Sequence, residues 1–322
     1  MKNISRLHFA HLPTSIEELP RLSDVLGGPR IFVKRDDQTG LAFGGNKTRK
    51  LEFLLAEAEA NNARTLVSVG AIQSNHCRQT AAAAARFGLD CILVLVGDLP
   101  DRYSGNLLLD HLFGAQLVWT TRSQRQQALE STFMKALNQS RRPYLVPYGG
   151  SSPTGACAYA FAIQELIEQA SGFDWIVFAS SSGGTQAGMV VGAKLFGLSA
   201  KILGISVDEP QEILQPCIAS LVAAISEYLD AQLSFSPSEI LVNADYIGEG
   251  YGILGQAEKD AIRQFARQEG VLLDPVYTGR AAAGLIDLIK KNFFHDNETV
   301  LFWHTGGTPA LFADRYRELA DL

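Results

Sequence analysis

Lys47 stands in the stretch Phe43-Gly44-Gly45-Asn46-Lys47-Thr48-Arg49-Lys50, ahead of a run of helix formers from Leu51 to Ala60. Two glycines leave the backbone free to turn before that helix starts. A lysine in the first turn of a helix is electrostatically out of place, because the helix N-terminus carries partial positive charge and favours anions. Such a lysine is either solvated, as most lysines are, or held as something other than a free ammonium. A Schiff base to a carbonyl cofactor meets the second condition, since an amine that forms an imine is neutral when it attacks.

Three further loops place reactive residue types at strand-to-helix junctions, where open α/β sheets bind ligands. In Ala179-Ser-Ser-Ser-Gly-Gly-Thr-Gln-Ala-Gly188, residues Ser182, Gly183, Gly184 and Thr185 offer backbone N–H groups and two hydroxyls to a phosphate. Side chains at Gly183 or Gly184 are expected to collide with that phosphate. The plain alternative is a tight Ser/Gly turn. The loop does not fit G-x-G-x-x-G, which argues against a dinucleotide. Ser74 and Asn75 either cap a helix or point a hydroxyl and an amide at a ligand. Tyr277 and Thr278 face the same crevice or cap and pack. His304-Thr305-Gly306-Gly307-Thr308 is a fourth glycine turn after a strand. A P-loop is excluded, because Asn46 separates Gly45 from Lys47.

The elements that position these loops alternate. Strands are expected at 31–35, 65–69, 91–96, 117–120, 144–147, 175–179, 202–207 and 299–303. Helices are expected at 46–62, 75–87, 105–113, 123–138, after Pro153, 185–196, 218–229, 256–268, 280–291 and 309–319. Apolar runs bounded by Gly and Pro and joined by helices predict an α/β protein with two open, mostly parallel sheets covered by helices. A length of 322 residues suits one large or two medium domains. A net charge of −6 without a basic stripe argues against nucleic acid and anionic membrane surfaces as partners. Residues 1–10 lack an apolar signal core, and no apolar run approaches a membrane span. Cys77, Cys91, Cys157 and Cys217 are scattered without CxxC, which predicts reduced thiols in a cytoplasm and no zinc site. The six histidines form no metal constellation, so no metal is expected.

Taken together, five motifs resemble one family: Gly44 to Phe53, Gln73 to Thr80, Gly184 to Gly188, Asp274 to Gly279 and His304 to Gly307. They are similar, in order and in register from about Pro13 to Leu311, to the pyridoxal-phosphate (PLP) enzymes related to 1-aminocyclopropane-1-carboxylate (ACC) deaminase and D-cysteine desulfhydrase. The resemblance implies the tryptophan-synthase-β-like fold (fold type II). It also implies a larger PLP-binding domain from residues 1–50 and 150–322, a smaller inserted domain from 51–149, and a homodimer. It makes Lys47 the Schiff-base lysine and Asn75 the partner of the cofactor's 3′ oxygen, with Ser74 near the substrate. Residues Ser182, Gly183, Gly184 and Thr185 fall on the phosphate cup, Tyr251 and Tyr277 on two active-site tyrosines, and Thr305 on a hydroxyl partner of the pyridine nitrogen.

One departure bears on the substrate. ACC deaminases resemble Tyr-Glu-Gly at 277–279, with the glutamate near the pyridine nitrogen, whereas this chain has Thr278. A carboxylate stabilises a pyridinium, the stronger electron sink, better than a hydroxyl does. A weaker sink suffices when Cβ carries a good leaving group such as thiolate. The expected reaction is therefore α,β-elimination of D-cysteine to pyruvate, hydrogen sulfide and ammonia. ACC deamination, L-cysteate sulfo-lyase activity and a non-catalytic PLP-binding paralogue are the alternatives.

Overall fold

The computed structural model describes residues 4–233 and 235–320; residues 1–3, 234 and 321–322, which belong to the larger domain expected above, lie outside the described residues. The chain opens with β1 (Ile16–Glu18), α1 (Pro20–Leu26), β2 (Arg30–Lys34) and α2 (Asn46–Ala60). It continues through β3 (Thr65–Ala71), α3 (Asn75–Arg86), β4 (Asp90–Val96), α4 (Gly105–Leu112), β5 (Gln116–Thr120), α5 (Arg125–Asn138) and β6 (Pro143–Leu145). Then come α6 (Pro153–Ala156), α7 (Ala158–Gln169), β7 (Trp175–Ser180), α8 (Gly184–Phe196), β8 (Lys201–Ser206) and α9 (Gln211–Tyr228). The last elements are β9 (Leu241–Asn243), α10 (Gln256–Glu269), α11 (Thr278–Lys290) and β10 (Thr299–Trp303).

Among the described residues the strands form two sheets. Six strands run in the order β1-β2-β10-β7-β8-β9, and four in the order β5-β4-β3-β6. Strand β1 pairs antiparallel with β2, and the other pairings are parallel. The central strands are buried on both faces, as in β7, where all six residues are buried. That accounts for their unbroken apolar sequence. The four-stranded sheet draws all its strands from residues 65–145, whereas the six-stranded sheet takes strands from both sides of that segment.

Some elements differ from the sequence expectation. Strands β1 and β9 and helix α1 were not foreseen, because three-residue strands and a seven-residue helix carry too few positions to show a period. Helix α9 begins seven residues early and runs through Pro216, which costs it one backbone hydrogen bond. The expected last helix is two stretches of 3-10 helix, Thr308–Phe312 and Asp314–Ala320.

Helix α2 belongs to two cores. Leu51, Leu54, Leu55 and Ala58 pack with residues of the four-stranded sheet, such as Leu66, Leu93 and Leu95. Phe53 packs instead with residues of α6 to α9, such as Ala156, Ala187 and Ile218. The first turn of α2 is held by a buried ionic network. Arg49 Nη2 and Nε reach Asp36 Oδ1 and Oδ2 at 2.8 and 2.9 Å, and Nη1 reaches Glu165 Oε2 at 2.8 Å. Tyr159 Oη donates to Asp36 Oδ2 at 2.5 Å, and Lys34 Nζ donates to Glu165 Oε1 at 2.6 Å. Burial raises the Asp36 carboxyl, but the Arg49 guanidinium outweighs it and holds the group below the usual carboxylate range.

Asp36→Ala leaves Arg49 buried with a missing partner and is expected to destabilise the protein by about 3–5 kcal/mol. Urea unfolding of the variant checks this, and a loss under about 1 kcal/mol, the scale of an exposed pair, would show that the network is dispensable.

Candidate active site

Four helices begin around one cavity between the two sheets: α3 and α8 beyond the C-terminal ends of β3 and β7, α2 after a glycine turn, and α11 after the turn Asp274-Pro275-Val276-Tyr277. Their first turns bring Asn46 and Lys47 (α2), Asn75 and His76 (α3), Thr185 (α8) and the residue before α11, Tyr277, to the wall. Ala179 and Ser180 at the end of β7, and Thr305 and Gly306 after β10, complete that side. The junction of α2 with the β10 loop demands glycine. Gly45 has φ +123° and Gly306 φ +90°, and a Cβ on Gly306 would stand 2.5 Å from Gly45 Cα. Two backbones meet there with no room for a side chain. The Asn46 N–H donates to the Thr305 carbonyl at 3.0 Å, which locks the two loops together.

Lys47 lines the cavity, and desolvation lowers its pKa to about 8. Lys50, one turn on, is buried, and its pKa is pushed well below the usual lysine value by burial and then by Lys47. Its Nζ donates to the Gly149 carbonyl at 3.2 Å. Among the described residues neither lysine pairs with a carboxylate, and no Asp or Glu lines the cavity. His76 is also kept neutral, chiefly by burial and next by the two lysines. Its Nε2 lies 2.9 Å from Ser68 Oγ, which donates to the Val146 carbonyl, so the imidazole proton is on Nε2.

Helix α8 starts without a side-chain cap, and Gly183 before it has φ +76°. The first N–H groups of α8 thus have no side-chain acceptor at the cavity edge. Thr185 Oγ1 accepts from Asn46 Nδ2 at 3.1 Å, and Ser182 Oγ lies 2.8 Å from Ser151 Oγ. Ser74 Oγ accepts from the Cys77 N–H at 3.2 Å, so it caps α3 and lines the cavity at once. Across the wall Tyr251 Oη and Tyr277 Oη are 2.6 Å apart. Burial pushes both phenols up, most strongly Tyr277, so both stay protonated.

One expectation needs correction. Thr278 is fully buried and off the cavity wall. Its hydroxyl donates to Asp274 Oδ1 at 2.8 Å and accepts from the Asp274 N–H at 2.8 Å, so it serves the start of α11 and not a ligand. Asp274 in turn takes the N–H groups of Val276, Tyr277 and Thr278. At the two glycines of the α8 loop a side chain would crowd protein. A Cβ on Gly184 would meet Ser151 and come within 3.0 Å of Lys50 Nζ, and one on Gly183 would meet Ile218 Cγ1 at 2.9 Å. Lys47, Ser74, Asn75, Ser182, Gly183, Thr185, Tyr251, Tyr277 and Thr305 do share one wall. Sequence reasoning missed Lys50, Asn46 and Tyr148. Lys50 carried a usable signal, since it lies three residues from Lys47 on one helix face.

The pyridoxal-phosphate dependent enzyme family matches residues 7–306 of the chain. The structure superposes on an ACC deaminase homologue with a TM-score of 0.90 at 36% identity, covering 98% of this chain and 96% of that one. It is also similar to a hydrogen sulfide-producing enzyme from Fusobacterium nucleatum, with TM-score 0.65 and 16% identity over 92% of this chain and 96% of that one. The processed form of threonine deaminase isoform 2 from Solanum lycopersicum gives 0.66 and 15% over 96% and 83%. At those two identities the likeness concerns the fold alone.

In protein stripped of any carbonyl ligand, Lys47 is expected to react with an amine-directed reagent along a curve centred near pH 8. An ordinary lysine titrates near 10.4. Peptide mass spectrometry across a pH series checks this, and a midpoint for Lys47 no lower than that of surface lysines would contradict its desolvation.

Proposed function

The chain belongs to the pyridoxal-phosphate dependent enzymes, and on that premise we propose that it catalyses α,β-elimination of a β-substituted amino acid, taking D-cysteine and water to pyruvate, hydrogen sulfide and ammonia. Its cofactor is pyridoxal 5′-phosphate. The residues present fit that group. The uncapped start of α8 and the buried, carboxylate-free Lys50 call for an anion, and Ser182 and Thr185 add hydroxyls beside them. Lys47, titrating near pH 8, supplies an amine that is neutral often enough to attack a carbonyl.

The observation that carries the reading is that, among the described residues, no carboxylate stands on the wall formed by Lys47, Asn75 and Thr305, Asp208 and Glu209 lining only the adjoining opening beside Ser181, Ser182 and Tyr251. Pyridoxal phosphate supplies an electron sink for the α-carbon, and beside no carboxylate that sink is the weaker one, which suits substrates with a leaving group at Cβ. Thr305 provides the hydroxyl for the ring nitrogen, and Asn75 the amide for the ring oxygen. Lys47 moves the proton at the substrate Cα. Ser74 orients the substrate. The Tyr251–Tyr277 pair, kept protonated by burial, gives a proton to the departing sulfur. We place this activity in a cytoplasmic homodimer acting on free amino acids.

ACC deamination is the second reading, favoured by the 36% identity to an ACC deaminase homologue. L-cysteate remains a substrate to be compared.

Wild-type protein is expected to release pyruvate and sulfide from D-cysteine and little 2-oxobutyrate from ACC. Tyr277→Phe should lower kcat by about 10²–10⁴-fold, the usual range for a lost proton donor, while PLP retention stays near wild type. Steady-state assays on D-cysteine, ACC and L-cysteate, with each keto acid identified, check this. Efficient 2-oxobutyrate formation without sulfide would reverse the ranking, and no keto acid from any substrate would point to a non-catalytic paralogue.

A further inference from the structure

Asn106, the second residue of α4, is fully buried and stands behind the cavity wall. Its backbone N–H donates to Gln73 Oε1 at 2.8 Å. Its side-chain Nδ2 donates twice at 2.9 Å, to the Gln73 carbonyl and to Asn75 Oδ1. A backbone carbonyl can only accept, so the Gln73 contact decides which end of the Asn106 amide is nitrogen. The Asn75 contact then has one sense, with Asn75 meeting Asn106 through its oxygen. Gln73 is itself tied to the start of α4, because its Nε2 donates to the Ser104 carbonyl at 3.0 Å. On the other side Gly307 backs the amide, since a Cβ there would lie 2.9 Å from Asn75 Nδ2.

Asn75 lines the cavity, and with its oxygen turned to Asn106 it is the N–H side of the amide that is left for a ligand. Without Asn106, its amide could turn over with almost no change of shape and present oxygen instead. An acceptor facing the cofactor's ring oxygen would repel it. We propose that Asn106 is a positioning residue for the cofactor site: by occupying Asn75 Oδ1, it makes Asn75 a donor-only contact for the 3′ oxygen of pyridoxal phosphate. This rests on the reading of Asn75 given under the proposed function, and not on the identity of the substrate.

Asn106→Asp tests it with nearly the same volume. A carboxylate at 106 only accepts, so it takes Asn75 Nδ2 and turns Oδ1 toward the cavity. The probes are pyridoxal 5′-phosphate and its 3-deoxy analogue, which lacks the ring oxygen, each titrated by absorbance and protein fluorescence into cofactor-stripped protein. Wild type should prefer pyridoxal phosphate over the analogue by about tenfold or more, the scale of one well-made hydrogen bond to a charged group. In Asn106→Asp the preference should shrink to about twofold or invert, with thermal midpoints recorded to confirm folding. Asn106→Ala, which leaves the Asn75 amide free to turn, gives the same comparison if the aspartate variant does not fold. A wild-type preference retained in these variants overturns the inference, even if both affinities fall, because a merely structural defect weakens both ligands alike. Asn75→Ala separates the two levels of the argument. If it too keeps the wild-type preference, the reading of Asn75 fails and takes this inference with it. If it loses the preference while the Asn106 variants keep it, only the role of Asn106 fails.

Discussion

The buried contact between Arg49 and Asp36 is the constraint on which the site depends. Both side chains are out of water, and each oxygen of Asp36 is bonded, one to Thr14 and Arg49 and the other to Arg49 and Tyr159. Glu165 takes the remaining side of the guanidinium and also Lys34. Such a network gains little net free energy over an apolar replacement, because desolvation offsets most of the attraction. What it does is fix geometry. Asp36 and Glu165 come from distant parts of the chain, and Arg49 is two residues from Lys47. The first turn of α2 therefore has one orientation relative to the six-stranded sheet.

One residue further on, Lys50 is treated in the opposite way, and so is Lys47. Arg49 is surrounded by acceptors, whereas Lys50 is buried and Lys47 half-buried, and among the described residues neither lysine pairs with an acid. Alternation on one helical turn makes this possible, since successive residues point about 100° apart. One side of the turn is neutralised by protein. The other is left short of negative charge beside the start of α8. The same desolvation that lowers the Lys47 pKa to about 8 raises those of Tyr251 and Tyr277, so one cavity holds an amine that gives up its proton more readily than an ordinary lysine and two phenols that keep theirs.

Much of this arrangement was legible in the sequence, for physical reasons. Doubly buried strands such as β3 and β7 announce themselves as apolar runs, and the loops that follow them are where parallel sheets bind ligands. Ser182 and Thr305 could be found that way, and Lys47 by its place in the first turn of a helix behind two glycines. Short-range signals say nothing about which way a hydroxyl turns. Thr278 was expected at the cofactor because of its neighbours in the chain, but the acceptor that claims it, Asp274, lies four residues back. The neighbours that a side chain at 183 or 184 would meet, Ile218 and Ser151, depend on tertiary packing. Asn106 had no motif around it. Its importance comes from a contact across 31 positions, to Asn75, that no periodicity encodes.

Helix α2 has its own consequence as a member of two cores. Leu51, Leu54 and Leu55 engage the four-stranded side, and Phe53 engages α6 to α9, while Lys47 rides at the front end. The helix thus works like an indexed shaft, whose phase is read at three stations along one axis. Adding or deleting one residue between Lys47 and Phe53 would leave both cores packed only if the amine swung by about 100° away from the cavity. Length variation among related chains should consequently be absent from this interval and collect instead in the connections beyond residue 60, where no side chain has to agree with two cores and a reactive group at the same time.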